Sequence, residues 1–150
     1  MAGRIVVGVD GSQASKEALS WALEEAGLRG DTVVALHAWM PPYTAPVGLP
    51  GAVIAPVEDG TAEAIRKAAE ELLVEAVSEA AEGGVTVEQR LVQGPAAGAL
   101  IEEARGAQLL VIGSRGHGGF TGLLLGSVSQ QCAQHGPCPV VIVRVPENDG

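Results

Sequence analysis

Aromatic side chains are nearly absent: Phe, Trp and Tyr together make up 3% of the 150 residues. A core must therefore be built from Val, Ile, Leu and Ala, and a base-stacking nucleic-acid platform is not expected. Basic residues are scarce too, with 9 Lys and Arg against 18 Asp and Glu and a net charge of −9. Such a chain repels phosphate backbones and anionic membranes at long range, so nucleic acid and membrane are poor partners. Any bound anion has to be held by local dipoles or by a metal. Cysteine occurs twice, at Cys132 and Cys138. Their spacing fits neither C-x-x-C nor a zinc pattern, which leaves buried free thiols. No stretch approaches the roughly eighteen apolar residues of a membrane span. The opening "MAGRIVVGVDGS" breaks too early for a secretory leader, so a cytoplasmic protein is expected.

What is present is a compact composition, 47% hydrophobic and 18% charged, with the length of one domain spanning 1–150. "RIVVGVD" is a continuous apolar run, as in a strand covered on both faces. Ser12 then stands where a helix N-cap would. Leu19, Ala22, Leu23 and Ala26 form a helical stripe, and Gly30 suits the cap at its far end. "TVVALHAWM" reads as a second buried strand. Five prolines between Pro41 and Gly60 forbid regular structure over most of residues 41–60. That insertion reads either as a lid or as a tolerated surface loop.

The spacing predicts a long helix over 61–82, with Ile65, Ala68, Leu72, Ala76 and Ala80 as its stripe. "VTVEQRLVQ" alternates, with Val85, Val87 and Leu91 opposite Thr86, Glu88 and Arg90, which suggests an edge strand. Gly94-Pro95 opens a helix carrying Ala97, Leu100, Ile101 and Ala104, and Gly106 closes it. "LLVIG" is another buried strand, and a helix from 127 to 135 leads to "CPVVIVRV", the last strand. A polar tail at 146–150 ends the chain. Strands separated by helices predict an α/β fold, an open five-stranded parallel sheet with helices on both faces.

In such sheets a ligand sits beyond the carboxyl ends of the strands, where strand order reverses. Two strand ends carry unusual residues. The first ends in Asp10-Gly11-Ser12. The fourth runs into "GSRGHGGFTGLLLGS", where six of fifteen residues are glycine. Gly113, Gly116, Gly126 and Ser127 follow G-x2-G-x9-G-S. Glycines let backbone N–H groups approach an anion, and Gly126-Ser127 opens a helix whose free N–H groups and dipole favour phosphate. The pattern is neither a Walker A loop, which needs G-K-[ST], nor G-x-G-x-x-G. Asp10 either caps the first turn or serves a ribose or a metal. Arg115 is a phosphate contact or a solvated surface charge. His117 reads as a solvated loop residue, His37 as packed in or near the sheet, and His135 as a cation at a helix end.

"IVVGVDGS", "LHAW", the glycine loop and "HGPCPVVIVR" together resemble the universal stress protein family, in its ATP-binding branch, over nearly the whole chain. The resemblance implies strand order 3-2-1-4-5 and ATP with Mg²⁺ as ligands. It implies phosphate contacts, mostly through backbone, at Gly113, Gly116, Gly126, Ser127 and Val128. It places Asp10 near the ribose or a divalent ion, and Val9 and Ala38 at the adenine. Ala38 departs from the larger aliphatic residue common there, which implies a looser base pocket.

The reading that follows is a nucleotide-dependent regulatory or stress-response protein with a protein partner not named by the sequence. The alternatives are a slow ATP hydrolase or phosphoryl-transfer protein, and a nucleotide-free dimeric scaffold. With no Lys in the cradle and no clear base besides Asp10, turnover is expected to be slow at most. In the 3-2-1-4-5 order, Val140, Val141, Ile142 and Val143 form an exposed apolar edge strand. Such edges invite pairing, so a homodimer through this strand is expected. Gly113→Ala or Gly126→Val is expected to lower nucleotide affinity while the fold persists.

Overall fold

The computed structural model of the protein describes residues 2–41, 60–80, 83–115 and 125–145. Most of the Pro-rich insertion, the end of the long helix at 81–82, Gly116, His117 and the polar tail lie outside the described residues.

The first strand, β1, spans Arg4–Gly8 and leads to helix α1, Gln13–Arg29. Ser12 caps α1, its hydroxyl accepting from the Ser15 N–H at 3.2 Å. Gly30 ends it at φ +75°, a left-handed conformation that glycine reaches without strain. There follow β2 (Thr32–Trp39), α2 (Thr61–Ala80), β3 (Val87–Gln93) and α3 (Ala96–Glu103). The chain continues through β4 (Leu109–Gly113), α4 (Ser127–His135) and β5 (Val140–Val143). The strands form one sheet in the order β3-β2-β1-β4-β5, every neighbouring pair parallel.

Because side chains alternate along a strand, each central strand feeds two cores. Ile5, Val7, Val33, Ala35, Leu109 and Val111 meet Leu19 and Leu23 of α1 and Leu73 and Val77 of α2. Val6, Val34, Leu36, Leu110 and Ile112 meet Leu100 of α3 and Cys132 of α4. This explains why β1 and β4 read as unbroken apolar runs. β3 is an edge strand, as its alternation implies: Val85, Val87 and Leu91 pack inward while Thr86, Glu88 and Arg90 are exposed.

The stripe of α2 differs from the one its spacing suggests. Ala69, Leu73, Ala76 and Val77 are the buried residues; Ala68 is exposed, and Ile65 and Leu72 are half-buried. Apolar residues occupy several adjacent positions in "LLVEAV". Helical period alone thus permits two stripes about one residue apart. Packing against α1 and the sheet selects the one that buries Leu73 and Val77. Among the described residues, no helix is long and apolar enough to cross a membrane.

Candidate functional site

The chain leaves β1 for β2 on one side and reaches β4 on the other, so the carboxyl ends of β1 and β4 flank the point where strand order reverses. Residues 8–12 form one wall. Gly11 holds φ +83°, which lets the chain turn sharply into α1. The Asp10 carboxylate accepts from the Ser12 N–H at 2.8 Å, and the Asp10 N–H donates to the Ser15 hydroxyl at 3.2 Å. The Ser15 hydroxyl donates in turn to the Ser12 carbonyl at 3.1 Å. Asp10 thus organises the turn that carries it.

Val9 is held on every side. Its side chain is buried in the α1–α2 core, its N–H donates to the Leu36 carbonyl at 2.8 Å, and its carbonyl lies 2.7 Å from His37 Nδ1. A carbonyl only accepts, so Nδ1 carries the hydrogen. His37 packs beside the sheet as its position suggests, but its hold on Val9 is not visible in sequence, because the partners are 28 residues apart. Ala38, the next residue of β2, faces the opposite core and packs there together with Val128. The structure therefore brings Ala38 and Val128 to one face, while the Val9 side chain lies on the other.

The second wall is the end of β4 with the start of α4. An ideal Cβ on Gly113 would lie 2.7 Å from the Ala14 Cβ and 2.8 and 2.9 Å from the Ala14 backbone carbon and oxygen. The first turn of α1 rests directly on Gly113. A Cβ here would meet α1, so the expectation that Gly113→Ala leaves the fold in place has a backbone clash to overcome.

Ser114 is buried, its N–H donating to the Val143 carbonyl of β5 at 2.9 Å. Its carbonyl accepts from the Gly126 N–H at 2.8 Å and from the Ser129 hydroxyl at 2.9 Å. Both Ser114 and Ser129 escaped the sequence reading. Gly126 occupies the N-cap of α4 in extended backbone, with no side-chain cap bond, followed by exposed Ser127 and half-buried Val128. The first N–H groups of a helix have no partner within it, and the dipole makes this end partly positive. Arg115 is half-buried just beyond Ser114. His135 stands in the last turn of α4, the end that suits a cation.

A groove of different polarity adjoins the first wall at Gly11. An open groove of about 390 Å³ between α1 and α2 is lined by Gly11, Lys16, Glu71, Leu72, Glu75 and Glu79, among others. Three carboxylates against one ammonium make it hostile to anions. No group of three or more His, Cys, Asp or Glu is placed to hold a metal among the described residues.

Both thiols are free. Cys132 lies on the buried face of α4, and burial pushes its pKa up to about 11. Cys138 is half-buried rather than buried, and desolvation raises its pKa as well. Because the folded state holds the Cys132 proton more tightly than the unfolded chain does, stability is fully present below the ordinary thiol range. It is lost as pH climbs from about 9 toward about 11. Urea denaturation across that window should show wild type losing more stability than Cys132→Ala, whose alkaline limb should be flatter. Equal slopes would contradict the shift.

The universal stress protein family model matches residues 1–144. A universal stress protein of Mycolicibacterium smegmatis is 42% identical over 142 residues, 93% of this chain and 45% of its own length. The chain spans less than half the length of the curated relatives it matches. Among solved structures, a universal stress protein in complex with cAMP is 30% identical. It covers 94% of this chain and 95% of its own, with a TM-score of 0.58. Another, from Archaeoglobus fulgidus in complex with dAMP, is 27% identical over 94% of this chain and 97% of its own, with a TM-score of 0.62. A family match over nearly the full length, on a sheet with this strand order, establishes that the chain belongs to the universal stress protein family.

Proposed function

We propose that this chain binds an adenine nucleotide at the carboxyl ends of β1 and β4 and serves as a nucleotide-dependent regulatory protein of the stress response. The observation that carries this reading is the start of α4. An N-terminus without a side-chain cap is bonded through Gly126 to the end of β4, beside the strand-order reversal. Solved relatives in complex with cAMP and dAMP support it.

In this reading the phosphates rest on the N–H groups of Ser127 and Val128, with Gly113, Arg115 and Gly126 at the neck and Gly116 within the cradle. Asp10 faces the ribose or a Mg²⁺ ion. Ala38 lines the adenine side through its main chain, and Val9 backs it. The preferred ligand is ATP with Mg²⁺. The Mg²⁺ would offset phosphate charge on a protein of net charge −9. Among the described residues at these strand ends, Asp10 is the one candidate base, and hydrolysis is expected to stay below roughly 1 s⁻¹, the low end of ordinary enzymes.

Two copies pair through the outer edge of β5. Val140, Val141, Ile142 and Val143 are all half-buried within one chain, and β5 ends the sheet. Sedimentation at micromolar concentration should give a dimer, and a monomer would remove this part of the reading.

The test begins with denaturing the purified protein and identifying any released nucleotide by mass spectrometry. Nucleotide-free protein is then titrated with ATP, AMP and cAMP, with and without Mg²⁺. Released or saturably bound nucleotide is expected. Protein that carries none and binds none would favour a dimeric scaffold working through protein contacts alone.

A further inference from the structure

We infer that Ser129 is a positioning residue of the phosphate cradle, holding the start of α4 where it can meet a phosphate; the inference rests on the nucleotide-binding reading above. Ser129 is the third residue of α4 and is 2% exposed. A hydroxyl at this point of a helix often bonds back to the carbonyl three residues earlier, and Ser129 does so with Gly126 at 3.0 Å. That bond is local and by itself means little. The second is not local: the same hydroxyl lies 2.9 Å from the Ser114 carbonyl, 15 residues away at the end of β4. One hydroxyl hydrogen is shared between two carbonyls that belong to the two sides of the neck.

The Ser114 carbonyl has two lone pairs, and α4 fills both: one takes the Gly126 N–H at 2.8 Å and the other the Ser129 hydroxyl. The Ser114 N–H is bonded to the Val143 carbonyl, so this anchor is itself fixed to β5. The first turn of α4 is therefore tied to the sheet at two points rather than one. A single hydrogen bond through Gly126 would still let the helix end swing about it. The second bond removes that swing and sets the direction of the N–H groups of Ser127 and Val128.

Removing the hydroxyl leaves no buried atom orphaned, because the Ser114 carbonyl keeps the Gly126 N–H. The fold should survive Ser129→Ala, and the loss should appear in the geometry of the cradle. Calorimetry with AMP and with adenosine, on wild type, Ser129→Ala and Ser129→Thr, separates phosphate contacts from base contacts. Hydrogen exchange at the Gly126 amide reports the clamp without any ligand. Ser129→Ala should bind AMP about 5- to 10-fold more weakly, as expected for one lost hydrogen bond. Its adenosine affinity should change less than about two-fold, and its Gly126 amide should exchange faster. Ser129→Thr, which keeps the hydroxyl, should restore both AMP affinity and slow exchange.

Equal losses for AMP and adenosine in Ser129→Ala, or no loss for either, would overturn the inference. Unchanged Gly126 exchange in that variant would overturn the clamp while leaving nucleotide binding intact. Wild-type protein that binds no AMP would instead overturn the nucleotide reading, and the phosphate role of Ser129 with it.

Discussion

Gly113→Ala should destabilise the protein by about 1–3 kcal/mol, the usual cost of forcing an extra carbon into a packed site. The added Cβ would fall 2.7 to 2.9 Å from three atoms of Ala14, two of them backbone. A flexible side chain could swing aside, but the first turn of α1 cannot do so cheaply. Its Ser12 cap, the Asp10–Ser12 bond and the burial of Ala14, Ser15 and Ala18 all fix it. Urea denaturation monitored by circular dichroism measures the loss. Ala14→Gly in the same chain removes the Cβ contact but not the two backbone contacts, so it should recover only part of the stability. A double-mutant cycle should register that coupling. If Gly113→Ala keeps wild-type stability and loses only nucleotide affinity, the glycine is there for the ligand and not for α1.

The other large effect is expected at Leu110. Leu110, the second residue of β4, is 0% exposed and packs with Leu100 of α3 and Cys132 of α4. Leu110→Ala should cost about 2–5 kcal/mol, the transfer term plus the cavity left behind. Domains commonly hold only about 5–15 kcal/mol in total, so this change removes a large share. The loss falls on the core that seats α4, and bound nucleotide should offset it. At a concentration 100 times its Kd, a ligand specific for the native state adds about 2.7 kcal/mol. Urea midpoints of Leu110→Ala with and without AMP check both statements. A midpoint near wild type would mean the site collapses around the cavity. A midpoint indifferent to AMP would mean the variant no longer binds it, or that the protein never did.

Several elements were legible in advance because one local rule sufficed for each. The unbroken apolar runs of β1 and β4 mark strands covered on both faces, and the alternation of Val85, Val87 and Leu91 marks β3 as an edge strand. The α1 stripe of Leu19, Ala22, Leu23 and Ala26 is buried as its period requires. Ser12 and Gly30 bound that helix through bonds made within a few residues. The α2 stripe was not decidable in this way. Leu72 and Leu73 both suit an inward position on helical period, and only the surfaces of α1 and the sheet choose between them.

For the site, sequence by itself determined which residues stand at the two strand ends: Asp10-Gly11-Ser12 after β1, and Gly113 and Arg115 at the end of β4 with Gly126-Ser127 opening α4. It did so because strand ends and helix starts are set by local chemistry, and the parallel order then brings them side by side. Tertiary structure decided what each of them touches. It gave Gly113 its reason in the backbone of Ala14, turned the Val9 side chain away from the face of Ala38, and joined His37 to Val9 and Ser129 to Ser114. Those contacts join residues 15 to 99 positions apart. No periodicity or spacing encodes such pairs, because they exist only once the sheet has closed and both helices have been packed against it.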